Sequence, residues 1–174
     1  MKKIIKGKGY TLRLFRKSDY KSLANNINDK EIFRQTLHIP YPYRQNDAKK
    51  WLKRTTTEYQ KKPLRNLNLA IEINGEVSGC ISLRKIEKEH KAELGYWLAR
   101  KHWGKGIMSR AVLSMTNFAF NELKLRKVYA CVFTGNIGSA KVLTRNSYKK
   151  ERLLKKHVMK GDKLKNEYLF SKIK

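Results

Sequence analysis

The chain has 174 residues, 40% hydrophobic and 10% aromatic, the size and composition of one domain with its own core, which excludes a disordered chain. Its 41 Lys plus Arg against 14 Asp plus Glu give a formal charge of +27, which predicts acidic partners held over a Debye length of about 8 Å at physiological salt. The charge runs the whole length from Lys2 to Lys174, so lysine-biased usage accounts for it equally, and it marks no single docking surface.

No run of about 18 apolar residues is present to cross a bilayer, and residues 1–9 lack the apolar stretch of a signal peptide. The expectation is one domain over residues 1–174, cytoplasmic and without membrane contact. Cys80 and Cys131 sit in apolar, β-like runs and read as reduced core residues. His38, His90, His102 and His157 have no paired spacing, so no metal is expected.

In chain order, residues 10–15 alternate with Leu12 and Leu14 on one face, and a helix follows from Asp19, a capping residue, to Asn26. A second short helix is predicted over 30–35, then an aromatic loop through Pro40 and Pro42 that cannot be helical. Asn46 is expected to cap a helix carrying Ala48, Trp51 and Leu52 towards Gln60. The period then changes: Leu67, Leu69, Ile71 and Ile73 alternate, Asn74-Gly75 is a hairpin turn, and strands over 77–83 and 92–98 complete a meander. Met108, Ala111, Val112, Met115 and Ala119 recur at helical spacing, followed by a strand over 128–133 and a shorter helix from Asn136 to about Asn146. Strands over 148–159 and 164–173 close the chain as a hairpin. The fold class is α+β, a mixed sheet of about seven strands flanked by helices.

The stretch that carries chemistry follows the third meander strand and opens a helix: Leu98, Ala99, Lys101, Trp103, Gly104, Lys105, Gly106, Ile107, Met108, Ser109. A helix N-terminus offers unpaired N–H groups and partial positive charge, and glycines let a diphosphate approach the backbone. Lys101, Lys105 and Arg110 add charge, and the Ser109 hydroxyl lies in the first turn. Taken alone, Gly-x-Gly reads sooner as a tight turn with solvated lysines.

In context, Glu93-Leu94-Gly95-Tyr96-Trp97-Leu98 followed by Trp103-Gly104-Lys105-Gly106 resembles the acetyl-CoA motif of the GNAT superfamily, in the branch of RimJ- and RimL-type ribosomal-protein N-terminal acetyltransferases. The run from Asn136 through Ser139 to Leu143 is similar to that branch's Asn-x-x-Ser element. The resemblance covers most of the chain and implies acetyl-CoA as co-substrate. It implies that Leu98 and Ala99 bond pantetheine, that residues 104–109 bind pyrophosphate, and that Asn136 and Ser139 face the CoA arm. Two departures stand out: Lys101, and Ser147-Tyr148 where the family has Gly-Phe. A serine at 147 is expected to take a backbone conformation other than the glycine turn.

Amine acetylation needs a base, an oxyanion donor and an acid. The resemblance points to Glu93 as base, against the alternative of an ion pair, and to the Leu98 N–H as donor. Ser139 is the acid by the same token, against the alternative of helix capping. Leu37, Tyr41, Tyr43 and Tyr96, with Trp51 behind, are expected to wall the acceptor side or to be packing. The expected acceptor is a protein N-terminal α-amine, such as a ribosomal protein's, with ribosome or RNA contact through the basic surface. Alternatives are a small amine, polyamine or aminoglycoside, and a non-catalytic RNA-binding protein on the same fold.

Overall fold

The computed structural model describes residues 5–174; the reading of the first nine residues, and the basic Lys2, fall partly or wholly on residues 1–4, outside the described residues. The strands are β1 (Ile5–Gly7), β2 (Tyr10–Leu14), β3 (Leu67–Ile73), β4 (Glu76–Glu87), β5 (Lys91–Leu98), β6 (Lys127–Phe133), β7 (Lys149–Lys160) and β8 (Lys163–Ile173). The helices are α1 (Tyr20–Ile27), α2 (Lys30–Gln35), α3 (Gln45–Glu58), α4 (Ile107–Asn121) and α5 (Ile137–Arg145), with 3₁₀ turns at Lys17–Asp19 and Arg100–His102. They form an eight-stranded sheet in the order β1-β2-β3-β4-β5-β6-β8-β7. The extra strand, β1, pairs Ile5 with Leu12; three residues are too few to display a period.

The meander arises as the alternation dictates. Asn74 and Gly75 take φ of 51° and 80°, the positive pair that a two-residue hairpin needs to match the twist of its strands. Strand β4 runs beyond Leu83 to Glu87 because its ladder slips between Arg84 and Glu87, with Lys85 at φ 50°, and pairing resumes with Lys91. Helix α3 starts two residues earlier than a cap at Asn46 implies: Arg44 is the N-cap, and the Asp47 carboxylate accepts its N–H at 2.9 Å. A carboxylate in the first turn satisfies an orphan donor that Asn46 then need not.

The sheet buries both faces. Leu12, Leu69, Ile71, Ile81, Leu94 and Val128 pack against Ala111, Val112 and Met115 of α4. On the other face Ala70, Val77 and Cys80 meet Leu23 and Ile27 of α1 and Leu52 of α3. Cys80 and Cys131 are free thiols; burial pushes Cys80 up to about 12 and Cys131 up to about 11, so both stay protonated at neutral pH. Two ion pairs anchor β2: Arg13 donates to both carboxylate oxygens of Asp19 at 2.8 and 2.9 Å and to Glu72 at 2.5 Å. Asp19, expected as a plain helix cap, stands at the N-cap of α1 but makes no side-chain bond to that helix; its carboxylate holds the buried guanidinium instead.

Helix α5 ends in a Schellman arrangement, with the Tyr148 N–H donating to the Leu143 carbonyl and the Ser147 N–H to Thr144, at 3.1 and 3.0 Å. Ser147 itself takes φ 63°. The expectation that serine would avoid the glycine conformation is therefore corrected: the two bonds hold a side-chain-bearing residue in the left-handed region at a cost of about 1 kcal/mol. Ser147→Gly is expected to raise stability by about that amount, a rise of roughly 2–4 °C in Tm by calorimetry.

The feature that positions the site is a parting of two strands. β5 and β6 run parallel and pair only at Lys91/Lys127, Ala92/Val128 and Glu93/Tyr129. Beyond that point both continue, and their facing edges diverge into a V.

Candidate functional site

The V opens a cavity of about 1700 Å³ that reaches both faces of the sheet, lined by residues 93–98 of β5 and 129–133 of β6. Backbone groups alternate along a strand. The Ala99 N–H donates to the Ser78 carbonyl of β4 at 2.7 Å, so Ala99 turns away from the gap and the Leu98 and Tyr96 N–H groups turn towards it. The Leu98 carbonyl is taken by the Trp103 indole N–H at 2.7 Å. Of the backbone groups expected to meet pantetheine, the Leu98 N–H faces the gap, while the Ala99 N–H is committed to β4.

At the mouth, Gly104 and Gly106 take φ of 74° and 70° and lead into α4. The first intrahelical bond is from the Arg110 N–H to the Gly106 carbonyl at 3.1 Å, which leaves the N–H groups of Ile107, Met108 and Ser109 as the helix's free donors. Gly104, Gly106, Ile107, Met108 and Ser109 all line the cavity, with Trp103 and His102 beside them. Arg110 braces the turn from outside, its guanidinium donating to the carbonyls of Lys105 and Lys8 at 3.3 and 3.2 Å. Lys101 reaches instead towards Glu76 at 3.5 Å, and neither it nor Lys105 lines the cavity. Burial, then Lys101 and Lys105, lower the pKa of His102, which favours a neutral ring.

Helix α5 closes one flank. The Asn136 side-chain oxygen accepts the Ser139 N–H at 2.9 Å, so Asn136 is the cap of α5 and Ser139 is free of that duty. The Ser139 hydroxyl lies 2.7 Å from the Tyr96 hydroxyl. Burial pushes the Tyr96 phenol well above its ordinary range, so it stays protonated. Tyr96, expected on the acceptor wall, shares the face of Leu94 and Leu98 by strand alternation and bonds to α5. The sequence reading had no signal for Asn146, whose amide joins Val142 of α5 to the carbonyl and hydroxyl of Ser109 on α4 at 2.9 to 3.1 Å. It also passed over Lys141 and Arg145, which line the same flank.

The opposite face carries Glu93, Gly95 and Trp97. Glu93 is only 12% exposed and is bonded by Arg84 at 2.7 Å and Lys85 at 2.9 Å. Both are charge-assisted bonds in which the carboxylate accepts, so its oxygens are already engaged. Leu37 and Tyr43 line this side with Trp51; the buried Tyr43 phenol is pushed up to about 12, and the Tyr43 N–H donates to Asn28 at 2.8 Å. Tyr41 is 45% exposed and outside the cavity, its ring 6.0 Å from Phe33, because the turn around Pro40 and Pro42 faces it outward. Two residues that the sequence reading passed over complete this side: His157 and Glu167, 2.7 Å apart. Among the described residues no group of His, Cys, Asp or Glu is arranged to hold a metal ion.

A parted pair of parallel strands with donors at a helix N-terminus can admit an extended chain ending in a diphosphate, with an acceptor entering from the other face. Comparison with known proteins agrees with that geometry. Residues 10–149 match the family described as Acetyltransferase (GNAT) domain. The chain is 30% identical over 149 residues to YdaF of Bacillus subtilis (strain 168), named a ribosomal N-acetyltransferase, covering 81% of this chain and 78% of that one. It is 35% identical over 108 residues to p20 of Bacillus licheniformis, named an N-acetyltransferase, covering 62% and 61%. The chain thus spans between about three fifths and four fifths of these relatives' lengths. Among solved structures, RimL, a ribosomal L7/L12 α-N-protein acetyltransferase in complex with coenzyme A, superposes with a TM-score of 0.88 at 22% identity, covering 98% of each chain.

Proposed function

The chain belongs to the GNAT acetyltransferase family, acetyl-CoA-dependent N-acetyltransferases, and on that premise we propose that its acceptor is the N-terminal α-amine of a protein, a ribosomal protein above all. The observation that carries the reading is the V between β5 and β6, open on both faces of the sheet, with the N-terminus of α4 lining one side and Leu37, Tyr43 and Trp51 the other. The residues present fit acetyl-CoA. The free N–H groups of residues 107–109 would meet the diphosphate, Lys141 and Arg145 add positive charge beside it, and the inner β5 edge would bond pantetheine. Bound there, acetyl-CoA supplies the thioester whose carbonyl the amine attacks.

In this reading the Leu98 N–H polarises the thioester oxygen. Ser139, relieved of capping by Asn136 and held by a protonated Tyr96, gives a proton to the departing sulfur. Ser139→Ala is expected to slow turnover by about 100-fold while the acetyl-CoA dissociation constant changes less than about threefold; equal loss in both would assign Ser139 to binding alone.

The α-amine favours this acceptor because its ordinary pKa near 8 leaves about a tenth of it neutral at pH 7, whereas a lysine amine near 10.4 is neutral in fewer than about one molecule in a thousand. A formal charge of +27 disfavours polyamine or aminoglycoside substrates, and draws the protein to anionic RNA such as a ribosome's surface. Cytoplasmic residence follows from such a partner. The test is thiol release from acetyl-CoA against N-terminal peptides, polyamines and aminoglycosides; the α-amine reading requires release with peptides bearing a free N-terminus and none with the same peptides blocked. Release with polyamines alone would overturn it.

A further inference from the structure

Strand β7 is an exposed edge of the sheet, and its ladder with β8 breaks at one place. Leu154 pairs with Glu167 and Val158 with Lys165, so Lys155, Lys156 and His157 together stand opposite Asn166. Lys156 takes φ 48°, and its N–H donates to the Asn166 side chain at 2.8 Å. Such a bulge re-aims a side chain. Here it turns His157 back over the sheet, so that its Nδ1 lies 2.7 Å from Glu167 Oε2. The Glu167 side chain is 7% exposed and that of His157 44%. With the Glu167 carboxylate as acceptor, the neutral form of the ring is the tautomer with its proton on Nδ1 and its lone pair on Nε2.

The position matters as much as the pair. Glu167 is opposite Phe133 on β6, and the last β5–β6 pair is Glu93/Tyr129. Glu167 therefore stands at the height of Trp97 in the open part of the V, while Glu93 stands at its apex. Both His157 and Glu167 line the cavity. Of the other groups on this side that could take a proton, Glu93 is occupied by Arg84 and Lys85, Glu58 pairs with Lys61, Asp47 accepts the Arg44 N–H, burial keeps Tyr43, Tyr129 and Cys131 protonated, and His38 has no hydrogen-bond partner among the described residues.

We propose that His157, oriented by Glu167, is the general base that takes the proton from the attacking amine. The proposal rests on acetyl transfer to an amine, whichever amine that is. The amine nitrogen forms its bond to the thioester carbonyl carbon as Nε2 of His157 accepts one N–H proton. The carbon–sulfur bond then breaks with its electron pair on sulfur, and the thiolate takes a proton from the Ser139 hydroxyl. The imidazolium releases its proton to solvent and Ser139 regains one from it, so the products are amide and CoA thiol and the protein returns to its starting state. Glu167 is a positioning residue: it fixes the ring and its tautomer, as a carboxylate does for a histidine base in other acyl transfers. Glu93, paired with Arg84 and Lys85, takes no proton in this arrangement.

The test compares His157→Gln, Glu167→Gln and Glu93→Gln in the whole protein, with acetyl-CoA and the acceptor that the wild type turns over. His157→Gln is expected to slow turnover by about 100-fold or more, and Glu167→Gln to slow it less. Acetyl-CoA affinity by calorimetry and melting temperature stay near wild type in both. The acidic limb of the wild-type pH–turnover profile is absent from His157→Gln. Turnover by His157→Gln within about threefold of wild type, or transfer of the large loss and the missing limb to Glu93→Gln, overturns the assignment and leaves acetyl transfer intact. A wild type that binds acetyl-CoA yet acetylates no amine overturns the transfer reading, and the base with it.

Discussion

Gly104→Glu is expected to raise the acetyl-CoA dissociation constant by at least about 100-fold, with the fold intact. Nothing lies within 4 Å of where a Cβ would stand at this glycine, so the substitution does not collide with the protein. Its backbone is at φ 74°, which costs a non-glycine residue about 1–2 kcal/mol. The larger effect is charge. A carboxylate about 4 Å from a diphosphate charge costs about 4 kcal/mol at the effective dielectric of a protein surface, and 100-fold corresponds to about 2.7 kcal/mol. Gly104→Lys carries the same backbone strain with the opposite charge, so it separates the two causes. Calorimetric titration of the three proteins measures both; unchanged affinity in Gly104→Glu would remove the diphosphate from this turn.

The second large effect is on stability. Asp19→Ala is expected to destabilise the fold by about 3 kcal/mol, because it leaves Arg13 buried with one carboxylate in place of two. The paired side chains are 6% and 8% exposed, so water cannot replace the lost oxygens. Asp19 also accepts the Arg16 N–H at 2.7 Å, and the substitution removes that turn bond as well. Thermal unfolding should fall by roughly 6–12 °C for a chain of this length. Asp19→Asn keeps a turn acceptor but not the ion pair, and should lie between wild type and Asp19→Ala. A shift under about 2 °C for Asp19→Ala would mean that Glu72 alone satisfies the guanidinium.

What the sequence disclosed followed from short-range physics. Leu67 to Ile73 with Asn74-Gly75 specified a hairpin because a period of two and a pair of left-handed residues are local properties. The Trp103 to Ser109 run was legible for the same reason: a turn, two glycines and a helix start are contiguous. Strand β1 escaped notice because Ile5–Gly7 is too short to show alternation. The V escaped because parting is set by where Glu93 and Tyr129 stop pairing, a register between strands more than thirty residues apart.

Side-chain partnerships across the sheet were equally hidden. Tyr96 was expected on the acceptor wall, yet its phenol meets Ser139, 43 residues later. His157 looked like an isolated histidine because its partner depends on a three-residue bulge in β7, and nothing in the run from Lys155 to Lys160 announces where a ladder slips. Asn146 read only as a helix end, although its amide pins α5 to the first turn of α4. Ser147 shows the reverse case, where a motif departure suggested a changed turn and the two Schellman bonds kept the turn in spite of it.

The most direct test of the account is a crystal structure of the protein with acetyl-CoA. The account predicts the diphosphate on the N–H groups of residues 107–109, pantetheine along the inner edge of β5, and the thioester in the V within hydrogen-bond reach of the Leu98 N–H. It also predicts Ser139 on the sulfur side and His157 on the acceptor side. Acetyl-CoA bound elsewhere on the surface, or a V still closed to it at saturating concentration, would contradict the central claim that the parting of β5 and β6 is the acetyl-transfer site.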